Sequence, residues 1–491
     1  MDLMTALQAE LGLTLVLITH DIGLATAYTD EIVVMYAGSV VERGPSARLA
    51  KSPRMPYTRA LFDAIPDPGR PPRSLLPVVP GRPPQPGALP EGCAFSERCP
   101  SATEACGVKR PELVEDASGH AWACLHPLPA SGTKAMSTAS ALDQDIAPDT
   151  AGSAQPLLEV RSVVQQFTLR RHSAVIQAVS RVSFDLFPGE TLALVGESGS
   201  GKSTLARSLL RAPAPVSGQI LVEGSDLMKA GRGELREIRR KMQMVYQDPF
   251  GSLDPTWRVR TIVEEPLISY GLGNRQDRKR RVDELLNQVG LDPKGYADRH
   301  PRQLSGGQCQ RVAIARALAA SPAVVICDEA VSSLDVLVQA QVLNLLEGLR
   351  RELRISYLFI AHDLSLVQQI SDRVAVMYMG KIVELASAAA LYSRPRHPYT
   401  AALLTAVPSA RSRQHPAPTV TGEAPSPMNP LSGCRFRTRC PRAADVCATE
   451  EPQFRQLRRV RPSPAISRWC PYDRLAYYEE LAASGCSKNS M

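Results

Sequence analysis

The sequence predicts an α/β protein, a mainly parallel sheet flanked by helices, with a small cysteine-rich extension following each of two related halves. Three observations carry this. The segment "FPGETLALVGESGSGKSTLARSLL" at 187–210 reads as a turn, a β-rich run, a glycine loop and then a helix. The run "AVVICDE" at 323–329 stays apolar until it ends in two carboxylates, as a central parallel strand delivers them at its C-terminal edge. Finally, "LVLITHD" at 15–21 reads as a buried strand ending in a polar switch, and "YLFIAHD" at 357–363 repeats it.

The repeat sets the domain organisation. At a constant offset of 342 residues, His20 maps to His362, "VMYAG" (34–38) to "VMYMG" (376–380), and "PYTRALFDAIP" (56–66) to "PYTAALLTAVP" (398–408). Residues 1–50 are expected to be the C-terminal remnant of a first nucleotide domain and 51–125 its cysteine-rich extension. The stretch 126–156 has the small, polar, Pro-bearing composition of a linker. A complete second domain is expected over 157–395, a second extension over 396–475 and a tail over 476–491.

With 491 residues, 44% hydrophobic and 22% charged, the chain can build two or three cores. No apolar run approaches the roughly 18 residues that span a bilayer, and "MDLMTALQAE" has no basic segment followed by an apolar one. A cytoplasmic chain is expected, reaching the membrane only through a partner. The net charge is +8, with local clusters such as "RKRR" (278–281) and "RQLRRVRPSPAISR" (455–468). Neither carries a nucleic-acid motif or interleaved aromatics, so a solvated or headgroup-facing surface is expected and no nucleic-acid partner.

The glycine loop explains its own composition. Gly196, Glu197, Ser198, Gly199, Ser200 and Gly201 can wrap phosphates with backbone N–H groups, because glycines tolerate positive φ and obstruct nothing. Lys202 adds a point charge for the β- and γ-phosphates, the Ser203 hydroxyl a Mg²⁺ ligand, and Thr204 completes the motif. Asp328 is the expected second Mg²⁺ ligand, and Glu329 is placed to orient or deprotonate an attacking water. The alternative for this pair is a charge pair at a helix N-terminus. Between loop and strand, "LSGGQ" (304–308) precedes a helical pattern, so Ser305, Gly306 and Gly307 would form a second anion site at a helix start.

In that order, "GESGSGKST", "YQDPFGSLDP" (246–255), "LSGGQ", "ICDEAVSSLD" (326–335) and "FIAHD" (359–363) closely resemble the ATP-binding subunit of ABC transporters. The resemblance covers residues 156 to about 395. It implies the P-loop fold with a helical subdomain, and ATP with Mg²⁺ as cofactors. It also implies that Gln247 senses Mg²⁺ and the attacking water, that His362 contacts the γ-phosphate, that Gln308 belongs to the signature, and that Asp335 bridges two ATPase halves. Phe167 sits where the family stacks an aromatic on adenine; the alternative is a core Phe. One departure is Ala330, where the family usually has Pro, which leaves the turn after Glu329 less constrained. Cys309 and Cys327 read as small buried fillers.

Eight of the eleven cysteines form two tetrads. Cys93, Cys99, Cys106 and Cys124 are spaced C-x5-C-x6-C-x17-C, and Cys434, Cys440, Cys447 and Cys470 C-x5-C-x6-C-x22-C. In a cytosolic protein such tetrads read as metal or cluster ligands before disulfides. They resemble the C-terminal region of oligopeptide and dipeptide importer ATPases, whose cysteines imply a [4Fe-4S] cluster; Zn²⁺ also suits four thiolates. The resemblance therefore implies an ATP-hydrolysing subunit that energises import of di- or oligopeptides, glutathione and nickel relatives included. Its partners would be two transmembrane permease subunits, a substrate-binding protein and a second ATPase domain, either another copy or a separate subunit. It would lie on the inner face of the cell membrane. Two alternatives stay open: a truncated, transport-incompetent fragment that binds ATP or a metal cluster without turnover, and a soluble ABC ATPase unconnected with transport.

About 206 residues precede the switch histidine in the second copy but only 19 in the first, so roughly 187 are expected to be missing through a truncated gene or misplaced start. Leu15, Val16, Leu17 and Ile18 would then lack a sheet to enter. Leaving each wet forfeits roughly 1.5–3 kcal/mol, and poor order of residues 1–50 in isolation is expected.

Overall fold

The computed structural model describes residues 2–65, 73–81, 83–84, 87–129, 155–169, 174–406, 420, 422, 425–426, 428 and 430–455. Most of the expected linker, Cys470, the tail and nearly all of the basic run at 455–468 lie outside them. The first copy begins with helices α1 (Asp2–Leu11) and α2 (Ile22–Tyr28), then the hairpin β1 (Glu31–Tyr36) and β2 (Ser39–Pro45), then α3 (Ser46–Lys51) and α4 (Pro56–Asp63). Its cysteine-rich part adds α5 (Glu104–Val108) and the short strands β3 (Val114–Glu115) and β4 (Ala121–Trp122). The four strands form one sheet in the order β1-β2-β4-β3, so the extension is built onto the remnant's hairpin.

The second copy opens with an antiparallel sheet of β5 (Leu158–Leu169), β6 (Ala174–Leu186), β8 (Ser217–Val222) and β9 (Ser225–Asp226) in the order β6-β5-β8-β9. Its main sheet runs β10-β11-β12-β7-β13-β14, where β7 is Thr191–Val195, β10 Met242–Val245, β11 Val324–Asp328, β12 Ser356–Ile360, β13 Arg373–Tyr378 and β14 Lys381–Ser387. Every pairing in it is parallel except β13 with β14. All residues of β7, β11 and β12 are buried. Alternate side chains enter two cores: Leu192 and Leu194 face one, Ala193 and Val195 the other. A central parallel strand covered on both faces must be apolar throughout, which is why these runs are uninterrupted in the sequence.

Around the sheet lie α6 (Lys202–Leu209), α7 (Arg232–Lys241), α12 (Val336–Leu353) and α13 (Leu364–Ile370). Helices α8 (Val259–Ser269), α9 (Arg275–Gln288), α10 (Pro293–Tyr296) and α11 (Gly306–Ala319) make the helical subdomain, α11 packing on both α8 and α9. Cys309 and Cys327 are fully buried, as expected of fillers. The "RKRR" cluster lies on α9, where Arg278 pairs with Glu264, Arg280 with Asp277, and Arg281 with Glu284. The chain continues through α14 (Ala388–Ser393), α15 (Pro398–Thr405) and α16 (Val446–Thr449).

The duplication holds in three dimensions. Strands β1 and β2 repeat β13 and β14 residue for residue at the offset of 342, down to a register shift at Val34/Met35 and at Val376/Met377. The strand-like run at 15–18 forms no strand, in keeping with its lack of a sheet to enter, although the same sequence element is β12 in the second copy. There β12 pairs with both β11 and β7; residues 15–18 have no paired neighbour, and Val16 and Ile18 are 82% and 95% exposed. A strand without ladder partners gains no backbone hydrogen bonds to hold it.

Candidate active site

The phosphate loop joins β7 to α6 and is held from behind. A Cβ on Gly196 would come within 2.1 Å of the Met377 carbonyl oxygen, and one on Gly201 within 2.2 Å of that of Ala178. Both have positive φ, so sterics and backbone conformation both demand glycine. Lys202 is buried, with Nζ donating to the Gly196 and Glu197 carbonyls at 2.8 and 3.0 Å. Burial pushes its pKa down; Glu329, Asp328 and Glu197 oppose that. At the foot of the loop, the Ser203 hydroxyl donates to Asp328 Oδ1 at 2.8 Å, so the two expected Mg²⁺ ligands already meet. Burial holds the Asp328 carboxyl above its ordinary range, against the Ser203 hydrogen bond and the Arg207 and Lys202 charges.

Glu329 follows β11 directly, with φ of 49° and its N–H donating to the Ile360 carbonyl at 3.0 Å. A turn, not a helix, follows it, and α12 starts only at Val336, so the pair is no helix-terminal charge pair. Its Oε2 accepts from Gln247 Nε2 at 2.7 Å and lies 3.7 Å from His362 Nδ1. Gln247, Glu329 and His362 leave the C-terminal ends of β10, β11 and β12, three adjacent parallel strands. Three sequence segments thereby converge on one point at the carboxyl edge of the sheet, where open α/β sheets place their ligands.

The remaining sequence-assigned residues stand apart. Ser305 caps α11 in a reciprocal pair with Gln308, Gly306 packs near Leu334, and Gly307 approaches Val338 so closely that a Cβ would be 2.4 Å from its Cγ1. Asp335 caps α12 through Val338 N–H at 3.1 Å. Phe167 is 39% exposed near the end of β5, which removes the core alternative. Two contacts to the loop escaped the sequence: the Glu197 N–H donates to Tyr399 Oη at 2.8 Å, and its carboxylate accepts two bonds from Arg439, at 2.9 and 3.1 Å. The recurrence of "PYT" hinted at Tyr399; nothing in sequence marked Arg439.

Cys93, Cys99, Cys106 and Cys124 line one pocket with Met55 and Phe95. The Cys93 N–H donates to the Cys106 carbonyl at 2.8 Å, and Cys434 repeats this with Cys447 at 2.8 Å. Burial raises the pKa of the Cys93 and Cys99 thiols and that of Cys124 to about 11. Among the described residues no group of three or more His, Cys, Asp or Glu is set to hold a metal ion, and no helix is long and apolar enough to cross a membrane.

Comparison with known proteins gives concordant matches. Residues 179–332 match the family model described as ABC transporter. Residues 41–106 and 383–447 both match that of the oligopeptide/dipeptide transporter C-terminal region. The chain is 47% identical over 316 residues to the oligopeptide transport ATP-binding protein AppF of Bacillus subtilis, covering 62% of this chain and 96% of that one. It is 40% identical over 414 residues to OppD of Mycobacterium tuberculosis, also an oligopeptide transport ATP-binding protein, covering 83% and 67%. To the glutathione import ATP-binding protein GsiA of Salmonella typhimurium it is 40% identical over 420 residues, covering 84% and 59%.

Proposed function

The chain belongs to the ABC transporter ATP-binding proteins that carry the oligopeptide/dipeptide transporter C-terminal region, and from that premise we propose that it hydrolyses ATP to drive import of peptides, glutathione among them. The carrying observation is the convergence of Gln247 and His362 on Glu329 beside the Ser203–Asp328 pair. In this reading the loop 196–204 binds the phosphates and Phe167 the adenine. Glu329 takes a proton as water attacks the γ-phosphorus; the bond to the bridging oxygen breaks and ADP leaves. Ser203, Asp328 and Gln247 would hold Mg²⁺, which would supply charge neutralisation at the phosphate oxygens. His362 holds the γ-phosphate, and Ser305–Gln308 with Asp335 serve the site of a second ATPase domain. Permease subunits at the inner face of the membrane, fed by a substrate-binding protein, are the expected partners. Tyr246, Phe250 and Trp257, each at least 40% exposed within one short segment after β10, support such a docking surface.

The first cysteine pocket fits a [4Fe-4S] cluster by its donor chemistry. Four thiols share one pocket with Met55 and Phe95, and burial raises the pKa of Cys93, Cys99 and Cys124, so these three stay protonated without a positive group among them. Four thiolates also suit Zn²⁺, which is the alternative occupant of the same pocket. Cys434, Cys440 and Cys447, with Cys470 outside the described residues, would make the second site.

Two measurements test the reading. Mg²⁺-dependent phosphate release by the full chain should vanish in Lys202→Ala, and peptide uptake should follow it in vesicles reconstituted with the permeases and substrate-binding protein. Hydrolysis equal to the parent's in Lys202→Ala would remove the site from the reaction. Iron and acid-labile sulfide in the anaerobically purified chain, falling by half in Cys93→Ser/Cys124→Ser, are expected; stoichiometric zinc instead would replace the cluster assignment.

A further inference from the structure

The segment "CRFRTRC" at 434–440 spans the first two cysteines of the second extension and lies against the back of the phosphate loop. Phe436 is buried and packs edge-on to Tyr378, centroids 5.2 Å apart, and tilted against Tyr399 at 5.4 Å. Arg435 bonds the Met379 carbonyl, Gln177 Oε1 and the Ser180 hydroxyl, and next to Met379 the Gly380 N–H donates to the Ser200 carbonyl at 2.8 Å. Arg439, 10% exposed and lying 5.9 Å over the Tyr378 ring, closes the set with its two-pronged bond to Glu197. The first copy gives an internal comparison. There Arg98 occupies the same seat, 5.9 Å over Tyr36, but bonds the Tyr36 hydroxyl and the Pro80 carbonyl, with no loop carboxylate to hold.

Glu197 is a problem for a phosphate loop. Its negative charge sits one residue into the anion cradle and acts on Lys202, whose Nζ already rests on the Glu197 carbonyl. A carboxylate free to swing would pair with Lys202 and repel the phosphates. We propose that Arg439 of the C-terminal extension is a positioning residue for nucleotide binding: it sequesters the Glu197 carboxylate so that Lys202 stays available to ATP. This rests on the reading of 196–204 as the ATP site. The extension thus acts on nucleotide affinity through one two-pronged ion pair, and its cysteine-bounded segment sets where that arginine stands.

The test is a double-mutant cycle on the full chain, read as the Kd for MgATP by equilibrium titration. Arg439→Gln should weaken binding roughly tenfold, well below the full interaction of a unit charge a few ångströms away near a protein surface because the freed carboxylate is partly solvated. In the Glu197→Gln background the same substitution should change Kd less than twofold, because no carboxylate is left to compete. Equal losses in both backgrounds would overturn the proposal and make Arg439 a support for the extension's fold. So would the absence of any loss. Should Arg439→Gln not fold, Arg439→Lys keeps the charge but not the fork, and a smaller loss, again abolished by Glu197→Gln, is expected. Lys202→Ala separates the two readings: if it binds MgATP like the parent, the ATP site is wrong; if it loses binding while the cycle shows no coupling, only the Arg439 proposal fails.

Discussion

The carboxylates at the end of β11 lie in different surroundings, and the roles proposed for them follow that difference. Glu329 faces Gln247 and His362 at the open edge of the sheet, as a group that handles water should. Glu329→Gln is expected to keep MgATP binding while lowering turnover by about 10²–10⁴-fold, measured as single-turnover phosphate release. Hydrolysis at the parent rate would move the base elsewhere. Asp328 is 2% exposed, and burial raises its pKa above the ordinary carboxylate range. The folded chain therefore binds more protons than the unfolded one between the two pKa values, and stability falls as pH rises through that window. Without Mg²⁺, Asp328→Asn should melt at a higher temperature than the parent at pH 7 and show no gain near pH 3; equal melting at both pH values would deny the burial penalty. The Gly, Lys, Ser and carboxylate positions were legible in sequence because each residue type is dictated by phosphate or metal chemistry. Arg439 was not, since an arginine beside a cysteine carries no signal until folding sets it on Glu197.

Elements were legible where periodicity and partners agree. The "AVVICDE" and "YLFIAHD" runs became β11 and β12 because each has parallel neighbours on both sides. At 15–18 the apolar run is as strong but has no strand beside it, and it stays unpaired as the missing sheet implied. Position 18 of the first copy corresponds to 360 of the second: Ile18 is 95% exposed and Ile360 fully buried. Ile360→Ala should therefore cost about 2–5 kcal/mol of unfolding free energy in denaturant titration. Ile18→Ala should stay within about 0.5 kcal/mol of the parent. Comparable costs at both positions would mean that the first-copy segment is covered after all, and that propensity, not pairing, decides strand formation here.

The two copies are also joined, in a way that no local pattern foretells. The backbone of Leu76 exchanges two hydrogen bonds with the Asn344 side chain, at 2.9 and 2.8 Å, and Gln341 Nε2 donates to the Val79 carbonyl at 2.9 Å. Arg73 pairs with Asp372, whose carboxylate also accepts from the Thr191 N–H at the start of β7. The first extension thus straps onto α12, the helix capped by Asp335, and contacts some 260 residues apart in sequence fix it there. Each chain carries one "GESGSGKST" loop and one "LSGGQ" signature. They occupy different surroundings, the loop against Met377 and Ala178 and the signature against Leu334 and Val338. If ATP is closed between the loop of one domain and the signature of another, and that other domain is a second copy of this chain, two copies must meet before either hydrolyses. ATPase rate per molecule should then climb with protein concentration and level off once the dimer dominates, with Lys202→Ala flat throughout. A parent rate independent of concentration would mean that one chain completes its own site, whereas a flat rate at the Lys202→Ala level would assign the second signature to a separate subunit.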